Sequence, residues 1–471
     1  TFLKIIIQPH FDANQLNGGP FFANFCRKFD PSGSIVAMND KGHDMYRCAL
    51  VKYVAYNATQ SIRPPKMLFP EGLLDWAGHR DGGVRRPFND ESGRPTGSQI
   101  PTPLTVRLSQ WASDLVAGEK VPRVILLVGG PGNGKTDAVE GCIQALDDAL
   151  TANGKLFQGF ASQYKDAHIS PPRRAEIELK LVIQDLPSHL DTTICLVQDA
   201  TERDSQQNLT PQELLLKELT SIANKDNDCI YLACVNRGIL AKSMELAEKI
   251  QANPTVIDRI TAMIACVTLD ANPMQCWPLE DDPNVAIWPM DVESLIDPAL
   301  SEDGQTVGHH IFRAALFKEF WKPACDLGSR CPFCENRRLL ERPKALDNLI
   351  SFLYYFELSS GKRWTFRGLF SLISYLLVGN EAELQIDRKR CSPCQWSKEQ
   401  SKRALTGKDG SVEKDRASYL LASRLYHHRL FPLWPALSKG EHKKSMSIVG
   451  PKSLDAGIRN AYGFTRFTRF S

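Results

Sequence analysis

What the sequence lacks narrows it first. No apolar run approaches the roughly 18 residues that a membrane-crossing helix needs, and the longest, "FSLISYLLVG", is about half of that. The opening "TFLKIIIQPHFDANQ" has too short an apolar part, and no small-residue cleavage site, for a secretory leader. No internal repeat is present, which excludes solenoids. No helix-turn-helix or zinc-finger spacing is present either, which leaves base-specific reading of nucleic acid without a device. The thirteen cysteines do not form a disulfide framework: the count is odd, and two C-x-x-C pairs stand out. Cys195, Cys234 and Cys266 sit inside apolar runs and read as small core residues. The expectation is a cytoplasmic chain in a reducing setting, with no membrane association.

What is present is ordinary in bulk. The 471 residues suffice for about two to four domains, and 42% apolar and 24% charged residues are typical of globular proteins. The net charge of +3 is unevenly spread: from Glu381 to Ser471 there are 18 Lys/Arg against 9 Asp/Glu, so the remainder is net acidic. A basic end on an acidic body points to a polyanionic partner, or to a solvated surface. Residues 1–103 read as a small strand-containing unit followed by a Pro-, Gly- and Arg-rich linker. From 104 to 297, apolar β-rich segments ("VILLVG", "TICLVQD", "CIYLACVN", "VAIWPMD") alternate with helical ones, the layout of an α/β core with a parallel sheet. Residues 298–400 read as mainly helical, and 401–471 as a basic C-terminal region.

The most specific motif is "GGPGNGKT", with the spacing G-x-x-x-x-G-K-T from Gly129 to Thr136. Gly129, Gly130, Pro131, Gly132, Asn133 and Gly134 form a loop whose backbone N–H groups can turn inward around phosphate oxygens without Cβ clashes. Lys135 supplies a point charge for the terminal phosphates, and Thr136 a hydroxyl for Mg²⁺. An apolar strand precedes the loop, and the helix that follows aims its N-terminus at the anion. Asp199, after "ICLV", is a candidate Mg²⁺ carboxylate; a strand-end Asp also serves simply as a turn or cap. Asn236, ending "YLACVN", is placed to orient a water or meet a γ-phosphate, although Asn favours strand-end turns in any protein.

Together, "GGPGNGKT", "CLVQDATE", "ACVN" and "VAIWPMD" resemble the strand signatures of AAA+ P-loop ATPases over roughly residues 105–380. The resemblance implies ATP and Mg²⁺ bound between an α/β core and a helical lid, and assembly as a homo-oligomer or within a multi-protein complex. It also implies an arginine donated to a neighbouring subunit, for which Arg259 is the candidate, a surface arginine being the plainer account. A lid arginine is implied as well, Arg367 being favoured over Arg363, which lies four residues away on the same helical face. The region around "TFRGLFSLISYLLVG" further resembles the ATPases of bacterial phage-defence and DNA-modification-linked systems. One departure stands out. The glutamate that usually follows the strand-end aspartate is absent: Ala200 is there, and the nearest glutamate is Glu202. Glu202 as a displaced base, slow hydrolysis without a dedicated base, and a purely structural nucleotide site all remain open.

"CPFC" (Cys331, Cys334) and "CSPC" (Cys391, Cys394) each carry the gap that lets two sulfurs face one tetrahedral Zn²⁺. The expected site is a zinc stapling the helical lid across the 56 residues between the pairs. Cys325 is a possible substitute ligand, and His309 and His310 read as ordinary helical surface. In the basic region, cations interleave with Trp396, Tyr426, Phe431 and Trp434, and "RNAYGFTRFTRFS" brings Arg466 and Arg469 beside aromatics. This is the composition of a sequence-nonspecific nucleic-acid contact, or of a basic protein-docking face. The integrated expectation is an ATP-hydrolysing motor or switch in a nucleic-acid-linked complex, with anti-phage defence as one setting. The rival is a non-catalytic scaffold stabilised by its nucleotide.

Overall fold

The computed structural model describes residues 67–406, apart from 77–87, 89–95, 97–98, 166–171, 184–185, 205–207, 224–228, 269–274, 301–303, 324, 326, 328–330, 382–383 and 387. The expectations for residues 1–66 and for the basic end beyond 406, Arg466 and Arg469 included, fall outside the described residues.

The chain divides into two compact units, one comprising 84–310 with 352–368, the other 64–83 with 311–351 and 369 onward. The first is a five-stranded sheet with helices on both faces. Its elements are α1 (Pro103–Val116), β1 (Val124–Val128), α2 (Lys135–Ala149), α3 (Lys155–Lys165), β2 (Arg174–Glu178), β3 (Thr193–Val197), α4 (Pro211–Ala223), β4 (Cys229–Val235), α5 (Arg237–Lys249), α6 (Pro254–Val267) and β5 (Val285–Pro289). The strand order is β2-β3-β4-β1-β5. β3, β4, β1 and β5 run parallel, while β2 is antiparallel to β3.

Strand alternation sorts the core into two layers. Ile125, Leu127, Ile194, Leu196, Ile230 and Leu232 face one apolar cluster with α1, α2 and α3. Val124, Leu126, Val128, Cys195, Val197 and Tyr231 face another with α4, α5 and α6. Strands covered on both faces must be apolar throughout, and all five residues of β1 are buried. The edge strand β2, "RAEIE", differs: it buries only alternate residues, because one of its faces is left to polar groups. It is fastened by Arg173, whose guanidinium donates to both carboxylate oxygens of buried Glu218 on α4 at 2.6 and 2.9 Å. Tyr231 Oη donates to the same carboxylate at 2.9 Å. Removing one partner of such a buried pair typically costs about 3–5 kcal/mol.

Helix starts follow local chemistry. Thr102 and Thr105 cap α1 reciprocally, with Pro103 at the first helical position. Fully buried Asp147 accepts the N–H groups of Gly154, Leu156 and Phe157 at 2.6–3.1 Å, which ends α2 and starts α3 with one carboxylate.

The second unit is mainly helical. α7 (Val307–Leu316), α9 (Ala345–Ser360) and α10 (Phe366–Val378) contribute parts to it; α8 (Pro332–Leu340), the hairpin β6 (Gln385–Ile386) and β7 (Lys389–Arg390), and α11 (Pro393–Thr406) lie within it. Its aromatic centre sets Phe69 edge-on to Trp76, Phe320 and Trp321. Among the described residues, no helix is long and apolar enough to cross a membrane. His309 differs from the surface residue expected: it is buried, and its Nδ1 accepts from the backbone N–H of Thr306 at 3.1 Å, capping α7.

Candidate functional site

The parallel strands β1, β3, β4 and β5 place their carboxyl ends at one edge of the sheet, where open α/β folds bind ligands. The motif loop leaves β1 there and enters α2 at Lys135. Gly132 and Gly134 adopt φ of +87° and +82°. A Cβ at Gly132 would lie 2.8 Å from the Cβ of Arg367, and one at Gly134 would lie 3.0 Å from the ring of Phe366. Conformation and close approach therefore both require glycine at these positions. Thr136 follows in the first turn of α2.

Lys135 Nζ donates to the carbonyls of Gly129 and Gly130 at 2.6 and 2.7 Å. Burial lowers its pKa, opposed by Cys234, Asp199 and Asp291 and reinforced by Arg367, so all four groups lie within its electrostatic reach. Burial pushes the Cys234 thiol up to about 12, so it stays neutral.

Asp199 follows β3. Its Oδ1 accepts from Thr201 N at 2.9 Å and Thr201 Oγ1 at 2.8 Å. The next residue answers part of the question that the missing glutamate raises. Ala200 donates its N–H to Cys234 O at 2.9 Å and is fully buried in the cluster that holds Leu215, Val235 and Leu240. A side chain here lies within the apolar layer. Glu202 closes a turn, its N–H donating to Asp199 O at 3.1 Å, and is exposed.

Of the other expected residues, Asn236 caps α5, its Oδ1 accepting from Gly238 N at 3.0 Å. Arg259, on α6, is paired with Asp282 at 2.6 Å. Arg367 lies against the loop: its N–H donates to Gly132 O at 3.2 Å, and its stem meets Gly132 as described. Arg363 instead reaches Glu357 at 3.1 Å.

Three residues at this edge escaped sequence reasoning. Asp291, after β5, accepts from Gly130 N at 2.8 Å and also from Asn133 Nδ2, and pairs through its other oxygen with Arg237 at 3.1 Å. The third is Glu357, whose buried carboxylate takes the Ser294 hydroxyl at 2.7 Å, Trp364 N at 2.7 Å and Arg363. It thereby fixes the turn that delivers Phe366 and Arg367 to the loop. An acid ending an apolar strand was a readable signal for Asp291; nothing local marks Glu357.

In the second unit, the ligand atoms of Cys325, Cys331 and Cys334 all lie within 4.8 Å of one another, a group able to hold a metal ion such as zinc. The Cys331 thiol is held down at about 5, chiefly by a hydrogen bond from Cys334, helped by backbone N–H groups of Cys334 and Phe333 and by Cys325, against burial. The same bond pushes Cys334 up, so Cys331 is the first of the pair to ionise. Cys394 lies within electrostatic reach of Cys325 and Cys331. The Cys391 thiol donates to Leu384 O at 3.4 Å.

Comparison of the chain with protein-family models, with curated proteins and with solved structures found no match.

Proposed function

We propose that this chain binds Mg·ATP at Gly129–Thr136 and works as a slow ATPase of AAA+-like P-loop design, a motor or switch in a nucleic-acid-linked complex. The observation that carries the reading is a G-x-x-x-x-G-K-T loop at a helix N-terminus whose lysine lies within electrostatic reach of the strand-end carboxylate Asp199. Lys135 would leave its two carbonyl partners for the β- and γ-phosphates, and Arg367 stands beside the loop as a further cation. Thr136 and Asp199 are the residues that would hold Mg²⁺, which neutralises charge developing on the phosphates. Slow turnover is expected because Ala200 is buried, which leaves exposed Glu202 as the nearest carboxylate able to align water.

An apolar face on α9, with Phe352 and Tyr355 about two-thirds exposed at 66% and 67%, supports contact with a protein partner. Nucleic-acid contact rests on the composition of the basic end, and anti-phage defence on family resemblance. The scaffold reading draws support from Asp291: a carboxylate on the Gly130 N–H is suited to a loop that changes state on nucleotide binding rather than one turning over rapidly. Steady-state ATP turnover with and without DNA or RNA separates the two. Stimulated turnover, lost in Lys135→Ala, supports the ATPase. Nucleotide binding with no turnover under any condition would leave the scaffold.

A further inference from the structure

We propose that Cys325, Cys331, Cys334 and Cys394 hold one structural zinc ion, and that Cys391 does not ligate it although it completes the second C-x-x-C pair. The inference is independent of the nucleotide reading.

The three clustered sulfurs already have the right spacing. A zinc ion with arms of about 2.3 Å sets its sulfurs about 3.8 Å apart, close to the mutual distances of under 4.8 Å found here. Structural zinc is almost always four-coordinate, so a fourth ligand is needed, and two cysteines compete for the place.

The position of proline decides between them. Both motifs begin a helix with proline at the first helical position, Pro332 for α8 and Pro393 for α11. In C-P-F-C the proline is second, which makes Cys331 the cap and puts Cys334 third in the helix. In C-S-P-C the proline is third, so every cysteine moves back by one position relative to the helix start. Cys394 becomes the second helical residue, and Cys391 falls outside the cap. There it belongs to the β6–β7 hairpin: its N–H donates to Leu384 O at 3.0 Å, and its thiol donates to the same carbonyl. Cys394 stands outside the three-cysteine group but within electrostatic reach of Cys325 and Cys331, and the tilted pair of Phe333 and Trp396, ring centroids 6.4 Å apart, brings the two helix starts together. Cys325, six residues before Cys331, takes the place that Cys391 leaves.

The surroundings suit a thiolate cluster. Two helix N-termini favour negative sulfur, with Cys331 as the cap residue of α8 and Cys394 second in α11. Four thiolates on Zn²⁺ carry a net double negative charge. Lys322 and Glu71, paired at 2.7 Å, both lie within reach of Cys394 with opposite effects, so that charge is left mainly to the helix N-termini to balance.

The test uses the full chain with zinc as the probe. Elemental analysis should find about one zinc per chain, as a closed four-ligand site requires. Cys391→Ser should keep it with unchanged resistance to a chelator. Cys325→Ser and Cys394→Ser should each weaken zinc binding by at least about 100-fold, the upper end of what altering a mere ligand support does. A measurement without variants guards against misfolding: alkylation of the zinc-loaded wild-type protein, mapped by mass spectrometry, should label Cys391 and spare Cys394, Cys325, Cys331 and Cys334. Protection of Cys391 with labelling of Cys394 or Cys325 would overturn the assignment. So would a metal-free protein, or one with a Cys331–Cys334 disulfide.

Discussion

The glycine-rich loop and the cysteine cluster are both assembled at helix N-termini, yet they are built from very different spans of chain. The loop is one contiguous run, Gly129 to Thr136, set between a buried strand and a helix. The clustered cysteines are Cys325, Cys331 and Cys334, and the fourth that we propose, Cys394, comes from a second helix start some 60 residues on. In a contiguous motif, bond geometry and two positive-φ glycines fix where each N–H points. In a dispersed one, a single shift of proline relative to cysteine moves a cysteine along the helix start, and the ligand set we propose follows that register rather than the motif spacing. The surroundings differ too: the loop is gripped by groups from elsewhere in its unit, Asp291 and Arg367, whereas the clustered cysteines lie within ten residues of one another.

The sharpest way to break the loop's side of this contrast is Lys135→Ala. The ammonium is expected to make charge-assisted bonds to two phosphates, each worth about 1.5–3 kcal/mol, so ATP affinity should fall by roughly 10²-fold or more, with the thermal transition of the apo protein little changed. Equal affinity in calorimetric titration would remove the nucleotide reading altogether.

Next in size is a pair of substitutions at the missing glutamate. Ala200→Glu restores the residue that the family pattern leads one to expect, but it puts a carboxylate into an apolar layer with Leu215, Val235 and Leu240. It should destabilise the fold by on the order of 3 kcal/mol and gain no turnover; a stable, faster enzyme would show the strand end to be freer than its burial indicates. Glu202→Gln should keep ATP binding and lose about 10²–10⁴-fold in turnover if that carboxylate aligns the water, and unchanged turnover would take Glu202 out of hydrolysis.

Smaller effects probe how the loop is gripped. Gly132→Ala meets both a φ of +87° and the Arg367 stem; strain of about 1–2 kcal/mol should appear as roughly ten-fold weaker ATP binding. Gly130→Ala, whose Cβ would meet Asp291 Oδ1 at 3.4 Å and Asn133 Nδ2 at 4.0 Å, should weaken binding less. If the two variants were equal, the contact with Arg367 would have no energetic weight.

These particulars show what was legible in advance. The four core strands were, because burial on both faces leaves no choice but continuous apolar sequence. β2 was missed: its five residues alternate charged and apolar with only Ala175 and Ile177 buried, a half-buried edge pattern too short and polar to stand out beside the apolar strands, and the Arg173–Glu218 pair that fastens it joins residues 45 apart. The loop's own residues were legible from spacing alone. Asp291, ending an apolar strand, carried a readable signal that went unused, whereas Arg237 and Glu357 reach the site by long-range packing. Two C-x-x-C pairs announced a metal-binding region, but spacing is blind to where each helix begins.

Asp291 yields the smallest effect, and one of opposite sign. Its carboxylate holds the Gly130 N–H at 2.8 Å, a donor that a phosphate would claim, and it lies within reach of Lys135. Arg237 offsets its charge only in part, at 3.1 Å and 40% exposed. A bound polyphosphate must therefore displace an anion or tolerate one nearby. At an effective dielectric constant of about 20, a unit charge some 8 Å from another contributes about 2 kcal/mol before screening, and salt and Arg237 reduce that to about 1 kcal/mol. Asp291→Asn retains an oxygen acceptor for Gly130 and removes the charge, so ATP should bind roughly five-fold more tightly, with the gain shrinking as salt rises. Because the substitution keeps the shape of the side chain, weaker binding would mean that Asp291 shapes the loop for nucleotide rather than guarding it, and a gain insensitive to salt would rule out the charge as its cause.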